Sequence, residues 1–206
     1  MGLVTSIGSS DAAVRIARPQ ELVRYPPGDL AIWIFILAEL AVFAAFFAAY
    51  AFTRMQHVEL FNQYQQTLSR DAALINTLAL ITSSYFVVRA VAAIREDDSR
   101  GCVRWLVAAL GMGGLFLVVK IAEYAHHIDA GVRLSSNTFY MFYLSLTFFH
   151  FMHVIMGMVI LSAVAWKAGQ GGYTAAQHMG VETGASYWHM VDLVWLILFP
   201  LVYVMR

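Results

Sequence analysis

Acids and imidazoles inside long apolar stretches are the residues of this sequence that could carry chemistry. Glu39 lies in the middle of the first stretch, at a depth where insertion scales give an ionised acid a cost of about 2.5–3.5 kcal/mol. The carboxyl must therefore be protonated or meet a partner inside the protein. Two interpretations stay open for Glu39: a proton-handling or lipid-gating acid, and a neutral carboxyl that hydrogen-bonds a neighbouring helix.

A histidine pair occupies the fourth apolar stretch. His150 and His153 are three residues apart, so they share one face of a helix. As ligands of a metal or a haem they would need further donors at the same depth. His189, the only other histidine within a predicted span, lies close to the predicted cytoplasmic surface, a poor match in depth. The sequence therefore favours a structural hydrogen-bonded pair, and we expect this chain to bind neither metal nor cofactor by itself.

The third apolar stretch ends on Glu123, with Lys120 three residues earlier on the same side of the helix. A local ion pair lowers the cost of placing both charges at the edge of a membrane. We interpret the pair as structural. Glu123 also joins Glu39 and the histidine pair as a candidate for intramembrane proton or lipid contact.

The fifth apolar stretch repeats the three-residue spacing with His189 and Asp192. Trp188, Asp192 and Trp195 share one stripe of this helix. Tryptophan at a membrane interface is usually an anchor. Asp192 in apolar surroundings needs a donor, such as His189 or an indole N–H from elsewhere. These four residues complete the set of candidate proton or lipid contacts.

Five helices must position these groups. The 206-residue chain is 60% hydrophobic and only 13% charged, with a mean hydropathy of +0.66, which is too apolar for a soluble globule of this size. Five stretches reach the roughly 20 residues that a membrane-spanning helix needs. They are Leu30–Thr53, Ala73–Ile94, Trp105–Tyr124, Thr138–Trp166 and Ser186–Met205. We therefore predict an all-α bundle over residues 28–206, preceded by a cytoplasmic segment at 1–27.

Small residues indicate where these helices could approach closely, because backbone proximity stabilises helix pairs in lipid. The first stretch offers Ala41, Ala45 and Ala48, and the third offers Gly111 and Gly114. We interpret these positions as packing seams without a chemical role.

Lysine and arginine near the helix ends indicate the orientation, because cytoplasmic loops retain them. With the N-terminus inside, the inner side has the larger basic set, consisting of Arg15, Arg18, Arg24, Arg89, Arg95, Arg100, Arg104 and Lys167. The outer side has only Arg54, Arg70, Arg133 and Arg206. We therefore predict an N-in, C-out protein of the bacterial inner membrane.

Composition and motifs exclude several classes of function. The 13 basic and 13 acidic residues balance, so no global basic field would attract nucleic acid. The single cysteine, Cys102, excludes an internal disulfide, a CxxC redox pair and an iron–sulfur cluster. The sequence contains no GxxxxGK, GxSxG or HExxH motif. We therefore expect no catalysis by this chain alone.

Five motifs in chain order resemble subunit III of the haem–copper oxidases. IFILAELAVFAAFFAAY places the intramembrane carboxylate of that family at Glu39, and LINTLALITSS is similar to the opening of its next helix. KIAEYAHHI supplies the pair Glu123 and Tyr124, FFHFMHVIMG the two histidines, and YWHMVDLVWLILFPLVY the terminal signature. Phe149 and Phe151 stand where the family has glycines.

The resemblance implies an auxiliary subunit of an oxidoreductase complex that itself binds no haem or copper. Such a subunit packs against the haem-bearing catalytic subunit, holds phospholipid between its helices, and supports proton delivery and durable turnover. Longer members of the family have two additional helices before the first helix found here. The short form, Glu39 and the stretch SSNTFYMFYLSLTFFHFMHV look most similar to the branch associated with nitric oxide reductases. The main interpretation is therefore an accessory subunit of nitric oxide reductase, acting in denitrification.

Three other functions stay open. One is subunit III of a terminal cytochrome c or quinol oxidase in aerobic electron transport. Another, from a different class, is an independent carrier or proton channel, motivated by Glu39 and the histidine pair. Many carriers contain paired repeats with interrupted helices, and the sequence shows neither. A haem-binding electron-transfer subunit is a third interpretation, which a colourless purified protein would exclude.

Overall fold

The computed structural model describes residues 29–205, and these residues form an all-helical bundle. The helices are α1 (Leu30–Gln56), α2 (Val58–Gln65), α3 (Arg70–Arg95), α4 (Ser99–Asp129), α5 (Thr138–Gly169) and α6 (Met179–Phe199), and α6 continues into a π-helical turn at Pro200–Val204. Within residues 29–205, all helices except the short α2 are long and apolar enough to cross a membrane. The predicted fold class and five spans are confirmed. The predicted cytoplasmic segment 1–27 lies outside the described residues, and the N-in, C-out orientation stays a prediction.

Polar caps extend two helices, α3 and α4, beyond the apolar stretches that predicted them. Asp98 accepts a hydrogen bond from the Gly101 N–H at 2.8 Å, and Ser69 accepts one from the Ala72 N–H at 3.4 Å. Because Asp98 satisfies an N–H of the first turn, α4 begins at Ser99, before the predicted start of the span. The hydropathy pattern alone does not contain this information.

The turn between α3 and α4 is tied to the loop between α5 and α6. Asp97 adopts a φ of 60°, a left-handed conformation that aspartate tolerates better than most residues. Its carboxylate accepts a hydrogen bond from the Ala175 N–H. Nearby, Arg95 pairs with Glu182 at 2.7 Å. These contacts hold the ends of α3 and α6 together on one side of the bundle.

Four helices make the core of the bundle. α3 and α5 each pack against both α4 and α6, and α1 lies against α6. α1 also reaches α5 through aromatic contacts such as Phe43 with Phe149, whose ring centroids are 5.1 Å apart. The buried residues of α1 are only Ile36, Phe43 and Tyr50, which recur every seven residues along one narrow stripe. Half-buried residues such as Leu40 and Phe47 flank this stripe, and most of the remaining α1 positions form an exposed apolar surface.

Glycines on α4 and α5 make room for an indole. A Cβ added at Gly157 would lie 2.8 Å from Trp188 Cε3, and one at Gly113 would lie 3.0 Å from Trp188 Cη2. The positions that the sequence suggested as seams are exposed or border open space, namely Ala41, Ala45, Ala48, Gly111 and Gly114. That prediction is wrong for packing within this chain, because the helices approach where the large ring inserts.

Candidate functional site

Glu39 on α1 meets His153 on α5. Its Oε2 lies 3.0 Å from His153 Nε2, and the two side chains are 20% and 8% exposed. The sequence required Glu39 either to be protonated or to meet a partner inside the protein, and the structure shows such a partner. The contact attaches α1 to the core through polar groups at a depth where unpaired ones would be costly.

The hydrogen bonds of the His153 ring define how many protons this pair holds. Nδ1 lies 2.8 Å from the Phe149 carbonyl oxygen, which can only accept, so Nδ1 carries a hydrogen. A hydrogen must also lie between Nε2 and Glu39, because two lone pairs would repel at 3.0 Å. It belongs either to a neutral carboxyl or to an imidazolium. The pair has no net charge in both cases, which makes it compatible with membrane-spanning helices.

His150 makes no comparable contact. Its ring is fully buried between Phe116 and Trp195, with ring centroids 5.6 Å and 5.2 Å away. Neither nitrogen of the ring has a hydrogen-bond partner. The predicted hydrogen-bonded pair of His150 with His153 is therefore wrong. The two imidazoles serve different contacts, one with α1 and the other with the aromatic core.

Lys120 and Glu123 form the ion pair that their spacing predicted. Lys120 Nζ lies 2.9 Å from Glu123 Oε2. The lysine is 0% exposed and the glutamate 8% exposed. The pair therefore lies inside the bundle and not at its edge, which the sequence did not indicate.

Two tyrosines complete the surroundings of this ion pair. Tyr143 and Tyr203 donate to Glu123 Oε1 at 2.7 Å and 2.9 Å, and Lys120 Nζ donates to Tyr203 at 2.6 Å. Lys120 Nζ also lies 5.4 Å from the ring centroid of Trp195. Hydrogen bonds and aromatic faces of this kind offset the free-energy cost of removing an ion pair from water. Sequence reasoning missed both tyrosines, although a hydroxyl inside an apolar span signals that a partner is needed.

A third cluster joins α3 to α6. Ser84 Oγ lies 2.6 Å from His189 Nδ1. The sequence suggested His189 or an indole as the donor for Asp192, whereas in the structure His189 Nδ1 bonds Ser84 and Asp192 Oδ1 has no hydrogen-bond partner. Because α6 begins at Met179, His189 lies about 15 Å along the helix from its first residue, deeper than predicted.

Trp188 and Trp195 lie in the core. Both are 0% exposed, so the prediction of interfacial anchors is wrong. Trp195 donates its indole N–H to Thr77 Oγ1 at 2.9 Å, which links α6 to α3. Trp188 instead fills the space left by the two glycines on α4 and α5. Both residues act as packing centres of the bundle.

The predicted site residues therefore belong to separate clusters. Glu39 and His153 lie between α1 and α5, Glu123 and Lys120 lie near the end of α6, and His189 and Asp192 lie between α3 and α6. Within residues 29–205, no three histidine, cysteine, aspartate or glutamate side chains converge as ligands for a metal ion. The arrangement can hold protons in hydrogen bonds and can join helices.

The sequence matches the family model of cytochrome c oxidase subunit III over residues 28–206. The chain belongs to the cytochrome c oxidase subunit III family. The match includes every span and all three polar clusters, so the resemblance drawn from the five motifs is confirmed. Subunit III membership also agrees with the all-helical membrane fold.

Several bacterial members of the subunit III family are similar to this chain over most of its length. Cytochrome c oxidase subunit 3 of Thermostichus vulcanus is 34% identical over 177 residues, which cover 85% of this chain and 86% of the relative. The protein of the same name from Synechocystis is 35% identical over 173 residues, covering 84% and 73%. A probable cytochrome c oxidase subunit 3 from Nocardia farcinica is 29% identical over 99% of this chain and 100% of its own.

These comparisons give no support to the nitric-oxide-reductase branch that the short form, Glu39 and the fourth span suggested. The relatives described above carry the name of the oxidase subunit. The findings agree better with the other interpretation within the family, subunit III of a cytochrome oxidase. A chain of this length also occurs in a relative named as an oxidase subunit, since the Nocardia farcinica protein aligns over 100% of its own length.

Proposed function

We propose that this chain is the non-catalytic subunit III of a cytochrome oxidase and packs against its haem-bearing catalytic subunit in the bacterial inner membrane. The observation that carries the proposal is the family match over residues 28–206, together with bacterial relatives named cytochrome c oxidase subunit 3. The physiological reaction of such a complex is oxygen reduction. Nitric oxide reductase is the alternative partner within the same superfamily.

The surfaces of the bundle support docking to a larger membrane protein. α1 buries one narrow stripe and exposes large apolar side chains such as Ile34, Leu37 and Phe52. In a membrane these side chains contact either lipid or another apolar helix. We propose that the catalytic subunit covers part of this apolar surface and that phospholipid covers the remainder.

The polar clusters support an accessory role. Each joins two or more helices of this chain, and two of them pair an acid with a basic side chain. Groups engaged in this way stabilise a bundle that can serve as a scaffold for its partner. We propose that haem and metal belong to the catalytic subunit and that this chain contributes stability and proton supply.

Affinity purification tests the proposed partner. The tagged chain is extracted in mild detergent, and its companions are identified by mass spectrometry and visible absorption. We expect a haem-bearing oxidase subunit in constant ratio, and the untagged strain serves as the control. Recovery of the chain alone, or with a nitric oxide reductase, would contradict the proposal.

Deletion of the gene tests the accessory role separately. We expect oxygen reduction per haem to fall while haem still assembles in the catalytic subunit, because the missing chain supplies support and no redox centre. Nitric oxide reduction should be unchanged in the same strain. Loss of nitric oxide reduction with normal oxygen reduction would assign the chain to the reductase instead.

A further inference from the structure

A groove between the end of α4 and the beginning of α5 opens on the surface of the bundle. Its volume is about 480 Å³, within the range of about 300–1,000 Å³ that small-ligand sites have in proteins. Its walls are mostly apolar, and Ile128, Leu134 and Phe148 among them are each more than half exposed. We call this surface the α4–α5 groove. None of its lining residues belongs to α1, so it is distinct from the apolar surface of α1.

The α4–α5 groove extends over about one leaflet of a membrane. At one end is the loop between α4 and α5, which contributes Val132 and Arg133. At the other end is Phe148, ten residues after Thr138 at the start of α5. At 1.5 Å per residue this separation is about 15 Å, half of the roughly 30 Å hydrocarbon thickness of a bilayer. The groove therefore has the length to hold an acyl chain of a lipid whose headgroup lies at the loop.

A cation without a counter-charge lies at the loop end of the groove. The Arg133 side chain is exposed, and it forms no ion pair with any acidic side chain of residues 29–205. No aspartate or glutamate lines the groove. By contrast, Arg95 at the end of α3 is paired with Glu182 at 2.7 Å. Arg133 can therefore bind an anion from outside the chain without first losing an internal partner.

An imidazole in the same groove also has hydrogen-bonding groups to offer. His127 lines the groove and is only 5% exposed. Tyr140 and Tyr143 pack against its ring, with centroids 6.0 Å and 5.5 Å away, and these contacts fix its position. Across the described part of the chain, the ring nitrogens of His127 make no hydrogen bond. The ring can therefore donate a hydrogen bond to an oxygen of a ligand in the groove.

We propose that the α4–α5 groove binds one anionic phospholipid. Arg133 binds the headgroup phosphate, His127 donates a hydrogen bond to an oxygen of the headgroup or of the glycerol esters, and one acyl chain lies along the groove toward Phe148. A headgroup with a net negative charge binds better than a zwitterionic one, because the groove offers a cation and no acid to hold an ammonium group. The site does not depend on the proposed oxidase partner, since this chain supplies every lining residue.

A transmembrane helix of another protein is the alternative occupant of the groove. Helices in lipid pack closely where small residues let their backbones approach, whereas large side chains such as Tyr124, Leu144 and Phe148 line this groove. A helix would also cover Arg133, and it would need a carboxylate at the same level to balance that charge. Both observations favour a flexible acyl chain, which adapts to an uneven apolar surface and carries its own anion.

Native mass spectrometry of the full-length chain in detergent tests the headgroup preference without any partner. The protein is offered phosphatidylglycerol and phosphatidylcholine with the same acyl chains. We expect one phosphatidylglycerol to bind at least about fivefold more tightly, as one arginine near a membrane surface would give. Arg133→Gln should remove this preference. Arg70→Gln, which removes an exposed arginine at the same end of the bundle, should keep it. Equal binding of both lipids to the wild-type protein, or an unchanged preference in Arg133→Gln, would overturn the proposal.

A variant that fills the groove tests where the acyl chain lies. Ser145 lines the groove and is half-buried, so Ser145→Trp should abolish lipid retention while Arg133 remains. Val159→Trp, at an exposed position of α5 outside the groove, is the control and should retain the lipid. The melting temperature of each variant without lipid checks the fold.

Two results of these measurements would replace the lipid with a simpler ligand. Full retention of phosphatidylglycerol in a folded Ser145→Trp protein would show that only the loop surface binds it, and would overturn the proposal. Excess inorganic phosphate should not displace the lipid, because phosphate has no acyl chain to hold it in the groove. Displacement by phosphate would indicate a site for free anions and would equally overturn the proposal.

Discussion

Lys120 and Glu123 form an ion pair in the interior of the bundle, with 2.9 Å between Nζ and Oε2 and no exposed surface on the lysine. Losing one partner of such a buried ion pair lowers the stability of the protein, because the remaining charge stays buried without a counter-charge and without hydration. The two tyrosines that bond Glu123 would not replace the missing cation. This sensitivity gives the first prediction.

Lys120→Met should destabilise the protein by about 3–5 kcal/mol, since it leaves the Glu123 carboxylate uncompensated. The double variant Lys120→Met/Glu123→Gln should recover part of that loss because it also removes the orphaned charge. The measurement is unfolding of the purified protein in detergent. Lys167→Met is the control, because Lys167 is exposed and lies over the Tyr173 ring at 4.7 Å. Equal losses at Lys120 and Lys167 would contradict the prediction.

The bond of Glu39 to His153 predicts a difference between two substitutions. Glu39→Gln keeps an amide that can donate to Nε2, so it should change stability little. Glu39→Leu leaves Nε2 without a partner and should cost about 1–3 kcal/mol. Thermal unfolding in detergent measures both, and Glu59→Leu on the exposed surface of α2 is the matched control. If Glu39→Gln were as harmful as Glu39→Leu, the carboxyl would have a role beyond this hydrogen bond.

The contacts that the sequence predicted correctly are local. The five spans follow from length and hydropathy, and the pair Lys120 and Glu123 follows from helix geometry, because residues three apart always share a face. Neither prediction requires knowledge of how the helices are arranged. The family resemblance indicated that Glu39 is important, but it did not identify the partner of Glu39.

Contacts between helices could not be predicted because the rotation of each helix about its axis was unknown. In a soluble protein the apolar stripe marks the inward face, whereas in a membrane the outward face is apolar too. His153 and His150 lie on one helix, yet only His153 meets Glu39. Ser84 was overlooked for the same reason, since nothing local connects α3 with His189.

The contact of Gly157 with Trp188 predicts that a single methyl group is harmful. In Gly157→Ala the new Cβ would lie 2.8 Å from Trp188 Cε3, so the indole or the helices must shift. We expect a loss of about 1–3 kcal/mol, typical of overpacking. Gly114→Ala is the matched control, because a Cβ there would meet nothing within 4 Å. Unfolding curves of both variants measure the difference in stability. A Gly157→Ala protein as stable as Gly114→Ala would show that the indole moves freely.

The orientation predicted from the basic residues can be tested with single cysteines, because the native Cys102 is 0% exposed and should not react. Glu96 lies exposed in the turn between α3 and α4, and Ser135 lies exposed in the loop between α4 and α5. With the N-terminus inside, a membrane-impermeant maleimide should label Ser135→Cys in intact cells and Glu96→Cys only after permeabilisation. The wild-type protein is the control for background labelling. A reversed pattern would place the turn between α3 and α4 on the periplasmic side and would contradict the predicted orientation.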